Sequence, residues 1–394
     1  MRAVDLSHDK VFWTTVAGFL LRLSLLIFII YVVNDQISPY YITDDIKYET
    51  LARMYMKNAS TVIDREYFEI LTVGYAEFFW PWIMCITSYI FKTIYVGRFL
   101  NIFISSLCIP VLYRITLNIS GNKKTALLSA MLFAFLPITF ITPCFPIKDI
   151  MITFAFLFAL DTFLMYQNNQ KISLIRLIVC ALLLVSIYFS RGAVTELMLI
   201  LLMIFFLFKY IKEKDAVKLI IASIMILVLA LLFGNAVFSE FILKIDQYSV
   251  DADSNVSILK INSIYDIYKL PFSYFFATLQ PLNINLFKSL QNSSFWLNLL
   301  TYLNISIFPV AIGNFLYIFK KKKNNFFWIC TTVLHCAAVI MSLGIFRHYL
   351  FLVPLLFINY SLYIEENEKV NFMISFIFSI MLLSGLFMLS LLMI

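Results

Sequence analysis

Apolar runs of about 20 residues follow one another along most of the 394-residue chain, and short polar gaps separate them. The runs are continuous rather than alternating, so they predict helices and not barrel strands. Eleven are long enough to count: 11–33, 98–117, 125–142, 149–167, 172–190, 194–211, 217–238, 296–318, 325–345, 349–363 and 371–392. A further apolar stretch, Phe78 to Phe91, is short for a crossing; its Phe79-Trp80-Pro81-Trp82 opening predicts a helix lying in the interface.

The charges in the gaps alternate. One set holds Arg114 with Lys123-Lys124, Lys171 with Arg176, Lys209 to Lys218, and Lys320 to Lys323. With the short segment left uncrossed and the N-terminus in the cytoplasm, these clusters all fall on the cytoplasmic side, as the positive-inside rule requires. The exception is the gap with Glu365, Glu366 and Glu368, and acids weigh little in that rule. Crossing by the short segment would move Lys320–Lys323 outside. The other set of gaps holds a polar loop from 34 to 97 and a second long loop from 239 to 295. In the latter, Ile261, Ile264, Tyr265 and Tyr268 are spaced for a surface helix. We expect two modules, 1–215 including the first outer loop and 216–394 including the second.

Composition agrees. Apolar residues make up 62% of the chain, charged residues 13%, and mean hydropathy is +0.90. A water-soluble domain of this length has no way to cover so much apolar surface. The net charge of +7 reflects cytoplasmic-side Lys and Arg rather than nucleic-acid binding. The first run is too long for a signal-peptide core and reads as a retained span. Six cysteines lie mostly within apolar runs without metal-type spacing, so they read as packing residues.

Candidate chemistry gathers in the outer gaps. Asp44 and Asp45 stand eleven residues beyond the first span. A carboxylate near an apolar surface has a raised pKa and suits a general base; an acid capping the helix that starts near Ile46 is the plainer reading. Lys148-Asp149 follows three prolines, Pro137, Pro143 and Pro146, which break the helix and shape a turn. A capping Asp is again the structural alternative, but a Lys held at a membrane boundary favours function. Arg191 and Arg347-His348 also lie outside, against the charge trend. Arginine's planar fork of donors suits a lipid phosphate or pyrophosphate; snorkelling to headgroups is the alternative. His348 is a possible base, although a lone His is more often structural.

In order and spacing these residues resemble the integral-membrane glycosyltransferases of the GT-C fold, especially the bacterial relatives of protein O-mannosyltransferases and aminoarabinose transferases. The likeness rests on Asp44-Asp45-Ile46-Lys47-Tyr48-Glu49-Thr50-Leu51-Ala52 after the first span, then Phe79-Trp80-Pro81-Trp82. Gly97-Arg98-Phe99-Leu100-Asn101 opens the second span, Ala134-Phe135-Leu136-Pro137 closes the third, and Asp149 supplies the acid of the next outer loop. It covers residues 10–215, and beyond them Arg347 before Leu352-Val353-Pro354. The Trp-Trp-Asp signature of oligosaccharyltransferases is not found.

The resemblance implies an all-α polytopic protein of the bacterial cytoplasmic membrane, GT-C-like, with about eleven spans and its site facing outside. It implies a polyprenyl-phosphate-linked sugar as donor, a glycan, lipid or protein as acceptor, membrane lipids as surroundings, and inversion at the anomeric carbon. Asp44 or Asp45 would be the base, and Asp149 would position a substrate. Lys148, Arg191, Arg347 and His348 would hold the donor phosphate, with Tyr48 and Arg98 as further site residues. Some members use a divalent cation such as Mg or Mn, for which Asp44, Asp45 and Asp149 offer hard oxygen ligands. Two other classes compete: a surface-polysaccharide polymerase or ligase, and a flippase or transporter for a lipid-linked sugar. The acid just after the first span weighs against the former; the lack of an obvious repeat weighs against the latter.

Overall fold

The computed structural model describes residues 6–32, 44–57, 79–190, 306–318 and 350–366. Among these residues every regular element is a helix and there is no β-strand. In chain order they are α1 (Leu6–Tyr31), α2 (Asp44–Lys57), α3 (Phe79–Phe91), α4 (Tyr95–Ser120), α5 (Lys123–Phe135), α6 (Pro137–Ile141), α7 (Asp149–Gln167), α8 (Leu174–Tyr188), α9 (Phe308–Ile318) and α10 (353–366). A 3-10 turn, Thr142–Cys144, follows α6.

Three of these helices are long and apolar enough to cross a membrane: α1 over Asp9–Tyr31, α4 and α7. The chain is thus a membrane-associated helical protein. α7 coincides with the run expected at 149–167, and α4 extends the run at 98–117 by three residues at each end. The short apolar stretch forms the 13-residue α3. Its two tryptophans part company: Trp80 is buried, while Trp82 is 47% exposed. The runs at 194–211, 217–238, 325–345 and 371–392, and the helix expected around 261–268, lie outside the described residues.

The run at 125–142 is corrected. It is not one continuous helix: α5 ends at Phe135, and the chain resumes through α6 and the 3-10 turn at an angle of 58°. Pro137 is the cause, because its ring clashes with the preceding turn and it has no amide hydrogen. The break leaves backbone carbonyls without helical donors, which is costly where no water can serve them. Arg22, at the middle of α1, fills them. Its Nη2 donates to Phe133 O at 2.9 Å and Thr139 O at 3.2 Å, and its Nη1 to Ala134 O at 3.2 Å and Gly18 O at 2.8 Å. Its Nε donates to Ser105 Oγ at 3.2 Å. All five donors of a fully buried guanidinium are thus used. The positive charge also faces the C-terminal, negative end of α5.

The α4–α5 hairpin is written locally. Gly121 closes α4 at φ 68°, a left-handed conformation that only glycine adopts cheaply. Asn122 then caps α5 by accepting from Lys124 N at 2.9 Å. Along α5, Ala126, Ala130 and Ala134 recur every four residues and are fully buried, so one smooth face lets the neighbouring backbone come close. The common core draws on α1, α4, α5, α7 and α10, with Phe133 edge-on to Phe357 and Phe156 edge-on to Phe351. α9 joins α10 through Asn359 Nδ2, which donates to Asn314 Oδ1.

Candidate functional site

At one end of the bundle the turn between α6 and α7 is held by side chains from two other helices. Asn101 Nδ2, on α4, donates to Phe145 O at 2.7 Å and Ile147 O at 2.9 Å. Trp80 Nε1, on α3, donates to Pro146 O at 3.0 Å. Three successive carbonyls of a proline-rich turn therefore have fixed partners, and the turn delivers Lys148 and Asp149 in one place. Lys148 occupies the position just before α7 and Asp149 is its first residue. Both are buried, at 2% and 4% exposure. The Asp149 carboxylate sits at the positive end of the α7 dipole.

α2 packs across the same end. Tyr48 shares a small apolar cluster with Trp80, Met84 and Met151, and Met151 is two residues beyond Asp149. The next residue, Glu49, makes a buried ion pair with Arg98: Oε1 lies 2.7 Å from Nη2 and accepts from Nε at 2.8 Å. The Arg98 guanidinium also lies 5.6 Å from the Tyr95 ring centre. Asp44 and Asp45 open α2 as its first two helical residues. They are thus within the first helical turn rather than ahead of a helix starting at Ile46, and acids there favour the helix dipole. Their side chains lie outside the described set.

The structure thus gathers Tyr48, Arg98, Lys148 and Asp149 around adjoining contacts. Arg191, Arg347 and His348 lie outside the described residues. The chain just before Arg191 reaches this end: Phe189 O accepts from Phe79 N at 3.3 Å, tying the end of α8 to the start of α3. Among the described residues no group of three or more His, Cys, Asp or Glu could hold a metal ion.

Charged groups at the opposite end make a different cluster. Asp161, fully buried on α7, lies 3.0 Å from Arg114 Nη2 and 2.5 Å from Arg176 Nη2. Arg176 Nε also donates to Thr162 Oγ1 at 2.9 Å. Nearby elements close with Glu365, which accepts from Asn122 Nδ2 and Thr125 Oγ1, both at 2.6 Å. Asp161 is therefore a neutralised structural acid near a helix end, not a lone charge at mid-membrane.

Sequence reasoning missed the roles of four residues that build these sites. Arg22 had a signal, a cation at the centre of an apolar run. Glu49, Asn101 and Trp80 fall within the quoted motifs, but their roles were not legible because they depend on partners 44 or more residues away. No family model, curated protein or solved structure matches this chain.

Proposed function

We propose that the chain is a GT-C-type membrane glycosyltransferase of a bacterial cytoplasmic membrane. It has about eleven spans, a cytoplasmic N-terminus, and a site on the outer face. It moves a sugar from a polyprenyl-phosphate carrier to a glycan, lipid or protein acceptor in envelope assembly. One observation carries the reading: the helix that opens with Asp44-Asp45 packs through Tyr48 into the same cluster as the start of α7, where Lys148 and Asp149 are held. The shared cluster supports a reading in which these acids would remove the proton and Lys148 would face the phosphate.

In this reading Asp44 or Asp45 takes the proton from an acceptor hydroxyl. The hydroxyl oxygen forms the new bond at the anomeric carbon with inversion, and the bond from that carbon to the phosphate oxygen breaks. Polyprenyl phosphate leaves with the electron pair. Lys148, with Arg191 and Arg347 beside His348, stabilises the developing charge. Asp149, Tyr48 and Arg98 shape the surroundings. For a divalent cation, Asp44, Asp45 and Asp149 are the residues that would supply ligands.

A broken span invites the transporter alternative, since transporters expose helix ends at mid-membrane to bind substrate. Here Arg22 occupies the freed carbonyls, which leaves them committed to the fold. The test is sugar transfer by purified protein in nanodiscs, given labelled polyprenyl-phosphate sugars and a membrane extract of acceptors. Transfer by the parent and none by Asp44→Asn/Asp45→Asn supports the reading. Binding of lipid-linked oligosaccharide without monosaccharide transfer would favour a polymerase or flippase instead.

A further inference from the structure

The Glu49–Arg98 pair is buried at both ends, with side-chain exposures of 6% and 0%. Burying two charges is expensive, and a well-packed apolar pair of similar volume is commonly as stable. Such a pair does supply direction. One carboxylate oxygen accepts from Nε and lies 2.7 Å from Nη2 of the same guanidinium, which ties this face of α2 to α4. Among the described side chains of α2, the buried apolar ones are Tyr48, Leu51 and Ala52.

The pair also sits at a junction. Asp45 lies four residues before Glu49, so the two share one face of α2. Arg98 lies three residues before Asn101, so these share one face of α4, and Asn101 grips the carbonyls just ahead of Lys148-Asp149. The Glu49–Arg98 pair and the Asn101 bonds therefore share one face of α4, between α2 and the turn that leads into α7.

We infer that Glu49 and Arg98 are positioning residues that set the Asp44-Asp45 turn against the Lys148-Asp149 turn. The inference rests on the glycosyl-transfer reading for its purpose, but the placement of α2 can be measured without it. Arg98 acts here through α2 and does not itself bind the donor phosphate.

The test uses the full chain in nanodiscs and the neutral double variant Glu49→Leu/Arg98→Met, which removes both charges of the pair together. Melting temperature within a few degrees of the parent, kcat lowered at least tenfold and KM for the lipid-linked sugar within about twofold are the expected results. Turnover that recovers along with stability would mean that the pair only fills space, and would overturn the inference. A KM rise with unchanged kcat would overturn it too, by making Arg98 a donor-binding group.

A second readout needs no activity. Tyr55 on α2 and Tyr89 on α3 have ring centres 5.5 Å apart, so a short bifunctional thiol crosslinker bridges Tyr55→Cys/Tyr89→Cys when α2 is seated. The crosslink yield falls at least fivefold in the neutral pair background and returns with Glu49→Asp or Arg98→Lys in place of the apolar residues. An unchanged yield rejects the inference, whatever the transfer assay shows. If the parent transfers no sugar while the crosslink behaves as expected, the glycosyl-transfer reading fails and the placement stands.

Discussion

Arg22 Nη2 lies 2.9 Å from the carbonyl oxygen of Phe133, on a different helix and 111 residues away. In a continuous helix that carbonyl would accept from the amide of residue 137, which is a proline and has none. The same nitrogen reaches Thr139 O, whose helical donor would come from Pro143. Phe133 O also accepts from Thr139 Oγ1 at 2.7 Å, so the arginine shares the first proline's deficit and meets the second's.

Replacing Arg22 with Leu is therefore expected to destabilise the protein strongly, at about 1–3 kcal/mol for each carbonyl left without a donor. Lys, with three donors and no planar fork, should recover only part. The sharper measurement is a double-mutant cycle. Pro137→Ala restores an amide hydrogen for Phe133, so the Arg22→Leu penalty should shrink by about 1 kcal/mol or more in that background. Strictly additive melting data for the two changes would separate the arginine from the break.

The asymmetry between these two features explains what the sequence makes legible. Hydropathy runs mark α4, α7 and α3 to within a few residues, because each is a local property of side chains entering an apolar medium. The Ser120-Gly121-Asn122 turn is equally local. Pro137 announces the break within the run at 125–142, but not what meets its cost: the donors come from α1, and hydropathy counts residues without regard to partners. The same holds at the candidate site. Lys148 and Asp149 stand out by charge at a boundary, but Glu49 looks like any exposed helix acid until Arg98, 49 residues on, is seen against it.

Asp161 offers a second test of partner loss. Its two arginines differ: Arg114 is 45% exposed in its side chain, and Arg176 only 14%. Removing Arg114 leaves the acid paired and should cost below about 1 kcal/mol. Asp161→Leu leaves Arg176 without its carboxylate in a mostly buried position and should cost about 3–5 kcal/mol. Melting temperatures of the two variants in one detergent decide it; equal losses would show that Arg114 carries the pair.

Gly97 is set by space rather than by backbone conformation. A Cβ there would fall 1.8 Å from Met84 Sδ, and Met84 is fully buried between α3 and α4. Gly97→Val should therefore destabilise by about 1–3 kcal/mol through overpacking. Met84→Ala in the same chain should relieve most of that loss, since methionine is the obstructing group. Absence of relief would point to the helix backbone instead.

Cys85, on the short helix α3, has its thiol pushed up by burial from the ordinary 9.0 to about 12. The thiolate is the reactive form. At pH 8 Cys85 should resist maleimide in the folded protein and react once detergent or denaturant opens it. The sign for stability follows: below pH 9 the thiol is neutral folded or unfolded, so nothing changes. Between 9.0 and about 12 the unfolded chain loses the proton first, and stability falls as pH rises. Rapid labelling of the folded protein at pH 8, mapped to Cys85 by mass spectrometry, would contradict the packing of α3 against α4.

Asn101 is the residue through which the turn before α7 can be tested without touching a charged group. Its amide nitrogen is the partner of both Phe145 O and Ile147 O, so Asn101→Leu removes two hydrogen bonds and keeps the volume. Each buried carbonyl left over costs about 1–3 kcal/mol, and Asn101→Asp, an acceptor without donors, should be at least as damaging. Trp80→Phe, which loses only the single bond to Pro146 O, should cost about 1 kcal/mol. The two variants also differ in the proposed transfer reaction. If Lys148 and Asp149 act there, Asn101→Leu should lower turnover well beyond its effect on the amount of folded protein, and Trp80→Phe only slightly. Turnover that tracks folded protein in both variants would mean that this turn supports the bundle and takes no part in the chemistry.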